Sequence, residues 1–272
     1  MVRVKKSLGK LDSQGFVWLV VLLALAGSSC QRAPSANDAA IDSGDEKAAL
    51  AKIAEAEPLY NGREDLSKVR QAVALLREAR TADYGSFEAY WKLARADYYL
   101  GEHTADDRER DDLFREGVEA GKAAKQLQPN KPEGHFWLAA NYGGAAEHST
   151  LASLSSVEDI RQEMEIVLKL DEGYELGSAY LALGQLYSQA PRVLGGNTTK
   201  AIGYLEKGLR FGANNALLRL RLAEAYASAS RDGDAKKQIA TILSLTPTPG
   251  YEAEHNEAVA KAKKLQEKIG SK

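Results

Sequence analysis

The sequence predicts an all-α solenoid of antiparallel helix pairs closed by a C-terminal capping helix, and three observations lead there. First, four segments repeat one pattern: an apolar residue, then a small one, then usually a tyrosine three residues later. They are "YWKLARADYYLG" (Leu93, Ala94, then Asp97 beside Tyr98), "FWLAANYGG" (Leu138, Ala139, Tyr142), "YLALGQLYSQ" (Leu183, Gly184, Tyr187) and "RLRLAEAYASA" (Leu222, Ala223, Tyr226). Second, an amphipathic stretch follows each; in the last unit Ala235, Ile239, Ile242 and Pro247 come 13, 17, 20 and 25 residues after Leu222. A small residue at a helix crossing, an apolar ridge and a terminating proline make one antiparallel pair of about 34 residues. Third, the charged amphipathic "YEAEHNEAVAKAKKLQEKI" beyond Pro249 can cover the apolar face that a terminal repeat otherwise exposes.

This landmark set resembles the tetratricopeptide repeat from Leu50 to Pro247. "VRQAVALLREARTADYG" places Ala72, Leu76 and Ala79 in the register of a second helix, and "EKAALAKIAEAE" precedes it. Residues 46–249 therefore read as four clear units after one degenerate unit, with 250–272 as the cap. The leading leucines stand 45, 45 and 39 residues apart, so three insertions must be accommodated. "GEHTADDRERDDL" is expected as an acidic connection between two helices. "EHSTLASLSSVED" offers Ser156 as a helix N-cap, with Asp159 three residues on. "SQAPRVLGGNTTKA" contains Pro191 to stop one helix, Gly195 and Gly196 to reverse the chain through positive φ, and Asn197 to cap the next. Punctuation leaves Val193 and Leu194 unused: they either tuck against neighbouring units or offer an apolar edge to a partner or second protomer.

The N-terminus reads as an export signal. Arg3, Lys5, Lys6 and Lys10 precede the apolar run "FVWLVVLLALA". That run, Phe16 to Ala26, has 11 residues, and a spanning helix needs roughly 20. Ala24-Leu25-Ala26 suits ordinary signal peptidase, whereas "GSSC" resembles a lipobox with Gly27 where leucine is usual. Cys30 is the single cysteine and has no disulfide partner, so lipidation would give it a use. The expectation is a signal peptide over 1–29, a flexible tether over 30–45, and a lipid-anchored protein of the bacterial periplasm or envelope. Without residues 1–29, the chain loses four of 36 basic and one of 38 acidic side chains, leaving a net charge near −5. Nucleic acid is therefore not expected as a ligand.

Nothing along the chain forms a catalytic constellation. His103, His135, His148 and His255 are scattered, no HExxH is present, and no Gly-rich phosphate loop occurs. The chain is expected to be no enzyme and to need no cofactor or metal; His135 is expected to pack. In a solenoid of this kind the first helices line the concave face. Counting from the leading leucines puts Trp91, Arg95, Tyr98 and Tyr99 there, then Phe136, Ala140 and Gly143, then Leu181, Gln185 and Gln189, then Leu220 and Glu224. Arg95 is the lone cation on that line, which disfavours a clamp for a partner's carboxylate. An aromatic and apolar groove suits an apolar small molecule or hydrophobic residues of a partner, although aromatics at helical spacing are often core.

The third-unit sequence "LGQLYSQAPRVLGGNTTKAIGYLEKGL" and the closing "DAKKQIATILSLTPTPGYEAEHNEAVAKAKKL" resemble the T-component (TatT) family of tetratricopeptide-associated TRAP transporters. The resemblance implies a periplasmic lipoprotein that associates with a solute-binding protein, as a homotrimer with a central pore for an apolar or organic-acid solute. The alternative expectation is a scaffold in envelope assembly or secretion that binds a peptide or helix in its groove.

Overall fold

Apolar residues at spacings of three and four write the helices before any packing is considered. In α1 (Ala36–Asn61) the buried stripe is Ala49, Ile53, Ala56 and Tyr60; in α2 (Leu66–Ala82) it is Val69, Ala72, Val73, Leu76 and Ala79. The structure, a computed structural model, describes residues 36–148 and 150–271, with side chains over 46–147 and 156–271. The signal peptide and Cys30 lie outside the described residues. The backbone of α1 begins at Ala36, within the segment expected as a tether. Alanines and the absence of proline between Pro34 and Pro58 favour helix there.

The remaining helices are α3 (Phe87–His103), α4 (Asp107–Leu127), α5 (Pro132–His148), α6 (Thr150–Leu170), α7 (Tyr174–Gln189), α8 (Thr198–Gly208), α9 (Ala216–Ser228), α10 (Asp232–Ser244) and α11 (Glu252–Gly270). Side chains set their starts: Asp65, Ser86, Asn197 and Asn215 each accept from a backbone N–H of the first turn. Odd helices pack on the even helix that follows, and α1, α3, α5, α7 and α9 touch in succession as an inner layer. Helix α11 packs on α9 and α10, where the first helix of a further unit would stand. Among the described residues there is no strand, and no helix is long and apolar enough to cross a membrane.

Small residues allow the close crossings. Phe114 of α4 is wedged between two glycines: a Cβ at Gly101 would come within 2.8 Å of its ring, and one at Gly144 within 2.2 Å. A Cβ on Gly184 would meet Leu205 at 2.4 Å. The fully buried Asn141 then ties α5 to α3, its Nδ2 donating to the Ala94 carbonyl at 2.9 Å and the Trp137 carbonyl at 2.7 Å. His135 packs as expected, buried with Nδ1 2.5 Å from Glu163 and Nε2 2.9 Å from the Pro129 carbonyl.

Two insertions lengthen helices instead of making loops. Helices α4 and α6 have 21 residues each against 13 in α10, about 12 Å longer at 1.5 Å per residue. Only 104–106 separates α3 from α4; Asp106 caps α4, and Asp107 and Glu109 fall in its first turn, where the helix dipole favours negative charge. Ser156 is not an N-cap but a buried residue inside α6, because "TLASLSSVED" contains no breaker to delay the helix. The third insertion is a true loop. Helix α7 ends before Pro191, a 3-10 turn spans Arg192–Leu194, Gly195 takes φ 94°, and the Asn197 side chain caps α8. Gly196 serves by close approach, since a Cβ there would sit 1.8 Å from the Ala190 carbonyl oxygen.

One strained turn opens α7. Glu175, Leu176 and Gly177 have φ of 47°, 56° and 77°. Left-handed geometry costs roughly 1–2 kcal/mol for each non-glycine residue, and neighbours brace it: Asn215 Nδ2 donates to the Leu176 carbonyl at 3.2 Å, and the Tyr251 hydroxyl donates to Glu175.

Candidate functional site: a cavity on the inner face

The inner helices surround a cavity of about 880 Å³. Phe136, Trp137, Ala140 and Gly143 of α5 face Leu181, Ala182 and Leu186 of α7, and the lengthened α6 adds Ile160 and Met164. Phe136 is held edge-on by Trp137 at 4.9 Å and by Tyr174 at 5.2 Å between ring centroids, so the aromatic wall is built against other rings. A Cβ on Gly143 would meet nothing within 4 Å, so this position opens onto free space.

Contacts between the two ends of the chain close the ring of helices beside this space. Arg63, just after α1, donates from Nε to Glu254 Oε1 at 3.0 Å, from Nη2 to Oε2 at 2.5 Å, and to the Gly250 carbonyl at 2.6 Å. Its guanidinium lies over Tyr60 and Tyr99, 5.1 and 5.7 Å from their centroids. A bidentate fork is the strong form of such a pair. Asn256 donates to Glu64 at 2.8 Å, and His103 lies 3.7 Å from Glu257. His103 holds the Glu257 carboxyl down to about 2, with Lys261 adding to the effect against the cost of burial.

Charge around the cavity is unevenly compensated. Arg95 donates from Nη2 to both Glu57 oxygens at 3.0 and 3.1 Å and lies 3.9 Å over the Tyr60 ring. Glu102, Glu147, Glu175 and Glu254 also line the space. Glu102 is an exposed residue whose carboxyl is crowded by surrounding protein; that partial desolvation pushes it up to about 7, with Glu147 adding to the rise. Glu147 accepts from Gln185 Nε2 at 3.1 Å.

Arg95, Tyr98, Phe136 and Gln185 lie at this cavity, as do Ala140, Gly143, Leu181 and Gln189. Trp91 and Tyr99 do not. Trp91 packs against the core one turn before Arg95, and Tyr99 stacks on His103 at 4.2 Å. Glu224 pairs with Arg221 at 3.0 Å, and Leu220 is core. The apolar loop pair divides: Leu194 lines the cavity rim with Pro191, whereas Val193 is 92% exposed. Sequence reasoning missed Trp137, Glu102 and Glu147. The two acids continue stripes already identified, 95-98-102 and 136-140-143-147, one helical turn further. Arg63, Glu175, Tyr251 and Glu254 carry no such local signal.

The fold is that of a tetratricopeptide-repeat protein. The thermophilic TPR protein TTC0263 of Thermus thermophilus superimposes with a TM-score of 0.60 at 22% identity, over 79% of this chain and 98% of that one. The PilF protein of Pseudomonas aeruginosa does so with a TM-score of 0.52 at 18% identity, over 83% and 93%. No curated protein matches the chain. The profile of the family described as "RMD1-3: Regulator of microtubule dynamics protein 1-3" matches residues 52–189, from α1 to the end of α7. With just over half of its length matched, the chain belongs to the RMD1-3 family.

Proposed function

We propose that this protein is a non-enzymatic interaction module of the bacterial envelope that holds an apolar ligand in its central cavity. In this reading it is exported, anchored through a lipid on Cys30, and works with a periplasmic solute-binding protein as the T-component of TRAP-type transport. The observation that carries it is the cavity itself, about 880 Å³ with aromatic and aliphatic walls, within the size range of small-molecule sites of roughly 300–1,000 Å³. Nile red, a neutral apolar dye, should bind the purified protein with a rise in fluorescence. Gly143→Leu, whose Cβ would meet nothing within 4 Å, should abolish that rise without lowering the melting temperature, since a helix-interior glycine is itself unfavourable; undiminished binding by this variant would sink the cavity reading. Cys30→Ser should move the protein from the membrane to the soluble envelope fraction, and co-purification of a solute-binding protein separates the transport form from others.

A second reading places a partner's peptide or helix at the same space, as in an envelope scaffold. Val193, exposed beside the rim residue Leu194, favours it. Val193→Asp would weaken such a partner while sparing Nile red.

A further inference from the structure

The cavity's charges constrain the kind of ligand it takes. Building on the cavity reading, we infer that the occupant is an apolar body bearing a basic group, such as a long-chain amine, seated at Glu102 and Glu147.

Both cations at the cavity are already engaged. Arg63 is held by Glu254 and the Gly250 carbonyl, and Arg95 by Glu57. Each already has its charge balanced by a carboxylate, although Arg95 Nε has no partner, so an organic anion gains less there than a cation gains at an unpaired carboxylate. Glu102 and Glu147 come from α3 and α5, and neither is in an ion pair among the described residues; Glu147 has only the Gln185 amide. The groups that act on Glu102 are Glu147 of α5, His103 beside it on α3, Glu257 of α11 and Arg221 of α9. His103 is committed to Glu257, and Arg221 to Glu224. Two carboxylates beside an apolar wall lose hydration when an apolar ligand fills the space, and a cation on the ligand offsets that loss. Tyr98 and Trp137, with ring centroids 6.0 Å apart, line the same cavity and add faces that attract an ammonium group. The raised Glu102 carboxyl agrees with this: a cation stabilises its ionised form, so amine affinity should increase as pH rises from 6 to 8.

Displacement of Nile red by dodecylamine, dodecanol and dodecanoate, each below its micelle concentration, tests the inference. The amine should displace the dye at about tenfold lower concentration than the alcohol, the equivalent of one charge-assisted contact of roughly 1.4 kcal/mol. Dodecanoate should be the weakest of the three. Glu102→Gln/Glu147→Gln should remove the amine's advantage, read as the ratio of amine to alcohol displacement concentrations in the same variant and so independent of its own affinity for Nile red; Glu147→Gln alone, should the double variant fold poorly, should reduce that ratio. Amine and alcohol of equal potency, a preference for dodecanoate, or an amine preference surviving in the variants would overturn the inference and leave the cavity reading intact. Failure of Nile red itself to bind would remove both.

Discussion

The α9–α10 pair and the α3–α6 stack are built on one repeat and bury different things. Leu218, Leu222, Ala235, Ile239 and Ile242 are fully buried in the first, without a buried charge among them. The second buries Asp97, Asn141, His135 and Glu163 among its apolar residues. Among the described residues, every buried polar or charged side chain lies before residue 164. The long helices also belong to that half, which supplies about half of the cavity wall, α7 and the loop after it supplying most of the rest. The C-terminal pair is held mainly by area, which is non-directional, with one bond across it from Arg219 to Gln238 at 2.7 Å. The cavity half adds directional bonds, such as Asn141 to the Ala94 carbonyl, that hold α3 and α5 in one relation beside an open space.

Removing core volume from the aliphatic pair should have the largest effect. Leu222→Ala should cost about 2–5 kcal/mol in denaturant unfolding, and a loss under 1 kcal/mol would show that this pair contributes little to the global transition. Asn141→Leu should cost about 1–3 kcal/mol by leaving the Ala94 carbonyl without its donor. It should also weaken Nile red binding, which Leu222→Ala should not do while the protein is folded; the same pattern from both variants would erase the distinction between the halves. Arg63→Met should cost roughly 1–2 kcal/mol, because Glu254 is partly exposed and regains water. Its sharper readout is dye release in stopped flow: faster release marks the Arg63–Glu254 contact as the closure of the cavity, and an unchanged rate denies it that role.

The smallest predicted effect has the opposite sign. Burial pushes the Asp97 carboxyl well above the usual carboxylate range, and Glu116 adds to the rise. The folded protein therefore keeps a proton that the unfolded chain releases above about pH 3.9, so stability falls as pH rises from there towards the folded value. Asp97→Asn removes that penalty. Its gain in melting temperature should be absent near pH 4 and grow towards neutrality; a gain independent of pH would mean that Asp97 stays charged.

Much of the architecture was legible from residue spacing. Leu93, Leu138, Leu183 and Leu222 are all buried to within 1% of complete, as are Ala235, Ile239 and Ile242, and the cap at Asn197 forms as its residue type indicates. Part of the cavity lining was legible too, because Arg95, Tyr98, Phe136 and Gln185 share the inner stripes. Trp91, Tyr99 and Glu224 share the same periodicity and lie elsewhere, since a stripe specifies a face and not how far along the helix a cavity extends. The acidic insertion from Glu102 to Asp112 had the composition of a connection, yet it ends α3 at His103 and starts α4 at Asp107, where Asp106 satisfies the first N–H groups.

Helix positions, pairings and the inner face thus follow from local chemistry: spacing of apolar residues, small residues at crossings, and caps within three residues of the groups they satisfy. The cavity and its closure do not. Arg63 and Glu254 are 191 residues apart, and the left-handed turn at Glu175 is braced by Asn215 and Tyr251 from beyond α8. Such contacts depend on the rotation accumulated over five stacked helix pairs, a sum of small angles that no single repeat encodes.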